Sequence, residues 1–451
     1  MTKKTIRIGC GSGYAEDNLD PAIELAKKAD LDYLCFDSLA ERTLSMAQMR
    51  KLNDPNTGYD IRLEQLARTF LPYVDKGLKI IGNMGAANPD AAIRRVQEIA
   101  EELNLTNIRL AAITGDDVLD QIKEKDPIIL ETGKPLSELN GTIVSANAYV
   151  GADAIVEALE NGANFIIGGR LADPSLFLGP MIYEFGWAEE DWERKGKGII
   201  IGHLLECGTH VTGGNYADPP YRVVPGLDRL GLPYAVVEES GDGVISILDD
   251  AGGIMTVDTC KSQLVYEVHD PENYITPDGI ADLKNVTVKQ VGKNDVLVEN
   301  GTGKPRPKKL KVLVGVLEGY IGEGEMSYAG PGAYERALLS QDTLKKRFDR
   351  LYKDHSLEIR YDIIGVNSIH GASAPTPSEP PYEVRLRSAM RTETKEIADA
   401  WAHEVELLYL LGAAGGGGNR RSVKQVLAMY SAFLDASDVK LTVSMIEEVL
   451  K

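Results

Sequence analysis

His203, Glu206, Cys207 and His210 stand at offsets 0, 3, 4 and 7 in the run IIIGHLLECGTHVTGGN, residues 199–215. On a helix those offsets stack the four side chains on one face. His203 and Glu206 supply a base and an acid, and Cys207 supplies a nucleophile where its thiol is activated. Thr212, Gly213 and Gly214 follow, where backbone amides clear of bulky side chains can meet a ligand. The donor types also suit zinc, but the spacing is not HExxH and no metal is expected. A polar helix face can equally be a solvated one, and Cys is a common core residue. The spacing leaves both readings open.

The elements that must position these groups are legible upstream. Thr5 to Cys10, Leu31 to Phe36, Leu78 to Gly82, Ile108 to Ile113, Thr142 to Ala146 and Asn164 to Gly168 read as short apolar strands. Helical patterns separate them, including Asp20–Ala29, a long region ending near Lys76, Pro89–Leu103 and Ala152–Asn161. The alternation is that of parallel βαβ units, whose ligands bind beyond the carboxyl ends of the strands. Those ends carry Gly11 and Ser12, Asp37, Asn83, the Thr114–Asp117 run, Asn147, and Arg170 to Asp173. They are expected to converge on one polar cleft as a substrate-binding rim. The GCGSGY segment lacks the third glycine of a dinucleotide fingerprint, because Tyr14 stands there, so no nucleotide cofactor is expected.

From about Pro219 the texture changes to strands joined by Gly, Asp and Asn turns. The fold class is therefore α/β. A mainly parallel, doubly wound sheet over residues 1–218 precedes an α+β domain, rich in antiparallel strands, over residues 219–451. Helices are expected at 332–352, near Glu396–Leu411 and near Ser422–Phe433. The run Gly416, Gly417, Gly418, Asn419 and Arg420 would then expose amides before a helix N-terminus, where an anion can sit. A surface loop or a subunit contact accounts for it as well. His370, in the NSIHG loop, reads more simply as structural.

The net charge of −19 over 451 residues argues against nucleic-acid binding. The basic run KPRPKKLK at 304–311 reads as a solvated loop. Four cysteines without a CxxC pair fit a reducing compartment. With a strand begun by residue five and no long apolar run, neither a signal peptide nor a membrane span is expected. A cytoplasmic homo-oligomer acting on a small molecule is the expectation.

The chain also resembles the acyclic terpene utilisation (AtuA) family. The resemblance rests on long ordered motifs: GSGYAEDNLDPA at 11–22, LDYLCFDSLAERTL at 31–44, IIGNMGAANP at 80–89, ITGDD at 113–117, NAYVGADAIVEAL at 147–159, GGRLADPSLFLGP at 168–180 and GHLLECGTHVTGGNYADP at 202–219. AGGIMTVDT at 251–259, LVYEVHDPENYITPD at 264–278 and GAAGGGGNRRS at 412–422 extend it over nearly the whole chain. It implies a soluble protein that helps break down acyclic terpenoids through acyl-CoA intermediates. His203, Glu206 and Cys207 match the family motif, whereas the position of His210 often carries another residue. Some members have a further C-terminal domain of about a hundred residues, a size typical of one small domain, which this chain is expected to lack.

Two functions follow as expectations. In the first, an enzyme acts on a small carboxylate or a CoA thioester by hydratase/lyase chemistry or acyl transfer. Cys207 is then a nucleophile or a pocket thiol, Glu206 or His203 the base, and Arg170 a fork for a substrate carboxylate. Asp173 and Asp37 orient hydroxyl groups. In the second, the protein is a non-catalytic metabolite-binding or assembly subunit of the same pathway.

Overall fold

The computed structural model describes residues 4–352 and 357–446. Its strands are β1 Thr5–Ser12, β2 Tyr33–Phe36, β3 Lys79–Gly82, β4 Leu110–Thr114, β5 Thr142–Ala148 and β6 Phe165–Gly168. There follow β7 Tyr234–Glu238, β8 Gly243–Ser246, β9 Tyr274–Thr276, β10 Gly279–Asp282, β11 Thr287–Gln290 and β12 Asp295–Glu299. The last are β13 Thr302–Lys304, β14 Lys309–Ala329, β15 Glu358–Ile364, β16 Glu383–Thr392, β17 Gly417–Asp435 and β18 Thr442–Ile446. The helices of the first half are α1 Asp20–Lys28, α2 Glu41–Asn53, α3 Leu63–Val74, α4 Pro89–Glu102, α5 Leu119–Lys125, α6 Asp153–Glu160, α7 Ser175–Phe185 and α8 Trp192–Glu206.

A ten-stranded mixed sheet runs in the order β11-β12-β8-β7-β1-β2-β3-β6-β4-β18. Its centre, β1-β2-β3-β6-β4, is parallel, as the alternation predicts. β2 (YLCF) and β6 (FIIG) are buried along their whole length, which is why they read as unbroken apolar runs. Each large apolar side chain so buried contributes roughly 1.5–3 kcal/mol. The right-handed rule for βαβ crossovers, applied to this strand order, assigns the helices that lead from β1 to β4 to one face and α6 to the other. α4 shows how local sequence sets an element. The Asn88 side chain accepts from Ala91 N–H, Pro89 fits the first turn, and Ile93, Val96, Ile99 and Ala100 form its buried stripe.

Three expectations are corrected. β5 leaves the large sheet and pairs with β14. The boundary after residue 218 does not separate compact units, because β7 pairs with β1 and carries β8, β12 and β11 into the same sheet. One unit comprises the described residues of 1–139, 144–315 and 429–451, and the other comprises 140–143 and 316–428. The helix expected near 422–433 is strand β17.

In the second unit, β15, β16 and β14 pair antiparallel and β17 continues the order. The helices Ala333–Leu351 and Lys395–Glu406 contribute Leu344, Trp401 and Val405 to a core with Met326, Tyr328, Leu386 and Met390.

α8 prepares the site in the first unit. It is buried on all sides from Lys195 to Glu206, apart from partly exposed Lys197, so the solvated-face reading of His203 and Glu206 falls. Three glycines make the burial possible. A Cβ at Gly196 would lie 2.3 Å from the Thr302 carbonyl oxygen, and one at Gly202 would lie 2.7 Å from that of Pro174. Each mid-helix glycine costs about 1 kcal/mol of helix propensity, offset by backbone approach that no larger residue permits.

Candidate functional site

Register builds the site from its floor. Ser12 pairs with Phe36 and Phe36 with Gly82, so Asp37 and Asn83 emerge side by side at the carboxyl ends of β2 and β3. Asn83 Nδ2 donates to Asp37 Oδ1 at 2.7 Å, and the Ser38 amide donates to Asn83 Oδ1 at 2.8 Å. The Ser12 hydroxyl donates to the Asp37 carbonyl at 2.8 Å and lies 3.0 Å from the Ser38 hydroxyl.

A second knot forms beyond β4 and β6. Asp116 Oδ2 accepts from the Arg170 amide at 2.9 Å and from Asn147 Nδ2 at 2.8 Å. Gly169 is required there, since a Cβ would lie 2.2 Å from Asp116 Oδ1. Arg170 is thereby driven inward and is only 2% exposed. Its Nη1 donates to Asp173 Oδ1 at 2.8 Å and to the Leu171 carbonyl at 3.1 Å. Its guanidinium carbon stands 4.0 Å from the Tyr149 ring centre, a cation–π contact.

The end of α8 supplies the third part. His203 Nδ1 and Glu206 Oε1 are 2.8 Å apart, and the His203 ring lies 4.8 Å from that of Tyr274. Glu206 Oε2, His203 Nε2 and Arg170 Nε are buried without a hydrogen-bond partner in the protein. Such groups are uncommon, because an unmade hydrogen bond in a low-dielectric interior is costly.

Charge is unbalanced here. Burial, and then the Asp173 carboxylate, push the Glu206 carboxyl well above the ordinary range; Glu267 adds to this and Arg170 opposes it. Burial and Asp173 raise Asp37 likewise, against Arg170 and the Asn83 hydrogen bond. Burial lowers His203 to about 4, so its imidazole is neutral at neutral pH. The site thus holds an Arg170–Asp173 ion pair, two carboxyl groups biased toward the protonated form and a neutral histidine. A buried carboxylic acid of this kind can donate a proton at neutral pH. Burial and then Glu206 push the Cys207 thiol up, away from the thiolate that a nucleophile needs. Among the described residues no set of three or more His, Cys, Asp or Glu is arranged to hold a metal ion.

Beside the cluster is a cavity of about 220 Å³, whose wall includes Tyr149, Asp173, Tyr274, Phe433, Lys309 and Lys311. Asp173 and Tyr274 join it to the buried groups, the first through Arg170 and the second through His203.

The rim residues meet these expectations unevenly. Ser12, Asp37 and Asn83 form one network, and Asn147, Arg170 and Asp173 another. Asp37, Arg170, Asp173 and Glu206 act on one another electrostatically. The two asparagines are spent on holding carboxylates. Gly11 is a packing residue, since a Cβ there would lie 2.5 Å from the Phe36 ring. Cys207 caps α8, and His210 sits in a separate 3-10 turn with its ring 5.1 Å from that of Tyr266, so the four-residue helical face does not form. The Thr212–Gly214 turn consumes its own donors. The Thr212 hydroxyl donates to the Gly231 carbonyl at 2.8 Å, the Gly213 amide to His210 at 3.2 Å and the Gly214 amide to Thr209 at 2.8 Å.

The expected anion site loses its helix. Gly417, Gly418, Asn419 and Arg420 open strand β17, with Gly416 just before it. The Asn419 amide donates to the Tyr409 hydroxyl at 3.2 Å, and Arg421 pairs with Glu406 at 3.3 Å. His370 is exposed beside a 3-10 turn. Tyr149 and Tyr274 are not singled out in the sequence, although the segments NAYVGAD and NYITPD that hold them stand out, whereas Asp116 lies within the Thr114–Asp117 run expected on the rim.

The model of the family described as "Acyclic terpene utilisation family protein AtuA" matches residues 6–445. No curated protein matches the chain. Among solved structures, the "De novo designed protein Ferredog-Diesel" matches at 20% identity, over 23% of this chain and 85% of that one, with a TM-score of 0.16. No helix among the described residues is long and apolar enough to cross a membrane.

Proposed function

From the premise that this chain belongs to the acyclic terpene utilisation family AtuA, and so has a role in acyclic terpene utilisation, we propose that it is an enzyme adding or removing water at an acyl intermediate of that breakdown. The observation that carries this is the cluster of Asp37, Asp173 and Glu206 around the single buried Arg170. Hydration and dehydration need a base and an acid acting on neighbouring atoms. Asp173, oriented by Arg170 and facing the cavity, serves as the base. Glu206, biased toward its protonated form and held by neutral His203, serves as the acid, a proton store behind the cavity wall. Tyr274 bridges that store to the cavity wall.

Two sequence expectations give way to this reading. Acyl transfer through Cys207 is disfavoured, because burial and Glu206 both oppose the thiolate. A free substrate carboxylate on Arg170 is disfavoured too. That guanidinium already holds Asp173 and stacks on Tyr149, and a further anion would join two more carboxyl groups. The reacting end of the substrate is therefore uncharged, as in a thioester.

The test is isotope exchange. Branched enoyl and 3-hydroxyacyl thioesters are incubated with the protein in heavy water, and deuterium at Cα is measured. The wild type should incorporate deuterium and interconvert the two forms, while Asp173→Asn should not. Saturable thioester binding with neither exchange nor interconversion would instead support the metabolite-binding subunit.

A further inference from the structure

We propose that Lys309 and Lys311 form an anchor for the phosphate-bearing handle of an amphipathic substrate whose apolar, uncharged end enters the Tyr149–Tyr274 cavity. This deepens, and rests on, the acyl reading above.

The inference begins with a contrast of sign. The chain carries a net charge of −19, yet Lys304 to Lys311 holds five cations in eight residues. Two of the five are accounted for. Lys304 donates to the Glu272 carbonyl at 2.7 Å and to Asn273 at 2.9 Å, and Arg306 pairs with Asp153 at 2.6 Å. Lys309 has no ion-pair partner among the described residues. Lys311 has a loose one, with its ammonium 3.7 Å from Glu41 Oε1 and 5.0 Å from the Tyr149 ring centre. Both lysines are exposed.

Lys309 and Lys311 stand two apart at the start of β14, and both line the cavity, as does Leu310 between them. Pro174, Ile275, Pro277, Leu310 and Phe433 make much of the remaining wall apolar. Asp173 supplies negative charge inside. A free anion as a whole ligand would meet that carboxylate. A ligand with an apolar, uncharged end inside and phosphates at the lysines meets neither conflict. Two chemistries fit: a thioester of coenzyme A, or the diphosphate of an apolar alcohol.

The experiment measures binding by calorimetry on the intact protein, with coenzyme A and inorganic pyrophosphate as separate probes. Wild type should bind coenzyme A saturably, and more weakly as ionic strength rises. The double variant Lys309→Gln/Lys311→Gln should weaken binding by about tenfold or more, each tenfold being ~1.4 kcal/mol. Lys309→Arg/Lys311→Arg should restore most of it. Lys346→Gln, which removes the same charge from an exposed position in the second unit, should change nothing. Coenzyme A binding with pyrophosphate as a poor competitor identifies the nucleotide-bearing handle, and equal binding of the two identifies a simple diphosphate. Absence of saturable binding by wild type, or affinity unchanged in the Gln double variant, overturns the anchor. Lysine-dependent binding without proton exchange on any thioester sinks the proposed chemistry and leaves the anchor standing. Turnover with an unaltered KM in the double variant does the reverse.

Discussion

Two clusters of arginine and carboxyl groups in this molecule differ in physics. In the second unit, Arg387 bonds Glu323 and Asp362, Arg385 bonds Glu325, and Arg360 bonds Asp362. Three guanidinium groups there meet three carboxylates on paired strands. In the first unit, Arg170 alone faces Asp37, Asp173 and Glu206, and three polar atoms of the cluster and its histidine lack partners. The first arrangement is satisfied and stabilises a sheet. The second is held in imbalance by the surrounding fold, and such imbalance shifts pKa values toward those of working acids and bases. Charge density does not mark the site; uncompensated burial does.

The comparison is broken most directly by removing one carboxyl from each cluster. Glu206→Gln should reduce turnover ~10²–10⁴-fold as a lost acid–base group does, with the folded structure retained. Glu323→Gln should leave turnover within about twofold, because it removes only a partly exposed ion pair worth ~1 kcal/mol or less. Equal losses from both, read by thioester exchange and far-UV circular dichroism, would erase the distinction.

The arginines sharpen it further. Arg170→Met leaves buried Asp37 and Glu206 and half-buried Asp173 without their cation and should lower unfolding free energy by about 3 kcal/mol in denaturant titration. Arg387→Met should cost only ~1 kcal/mol, since water reaches its pair with Glu323 and Arg360 still holds Asp362.

Within the first-unit cluster, pH separates the carboxyl groups from the histidine by sign. Folded Glu206 and Asp37 have raised pKa values, so the folded state binds more protons than the unfolded one. Their stability contribution is complete below the ordinary carboxylate range and is lost as pH rises through the raised values. His203, lowered to about 4, acts oppositely: its contribution is complete above the ordinary histidine pKa and is lost as pH falls toward 4. Comparing Glu206→Gln with wild type isolates the carboxyl. The stability difference should move in favour of Gln as pH rises from about 5 to about 8. A difference independent of pH would remove the imbalance from the account.

The smallest effect is expected at Cys207. Cys207→Ser should retain turnover within a fewfold and cost on the order of 1 kcal/mol, as a packing change does. Near-complete loss of activity with intact folding would restore the nucleophile.

What the sequence by itself determined was local. The apolar runs YLCF and FIIG announce buried parallel strands because their burial is complete. Their polar ends announce a rim, because a strand in an α/β sheet stops where water or ligand begins. His203 and Glu206, three residues apart on a helix, had to be neighbours. What tertiary structure decided was partnership. β5 reads like its neighbours but pairs with β14, and β7 joins β1 across more than two hundred residues of chain. Residues 422–433 contain good helix formers, yet sheet pairing overrode propensity. The same holds for the chemistry. His203 and Glu206 became a buried pair rather than a wet face because Gly196 and Gly202 let backbone from β13 and Pro174 close over α8. A pKa depends on every charge and every lost water around a group, and those come from segments that only the folded chain brings together.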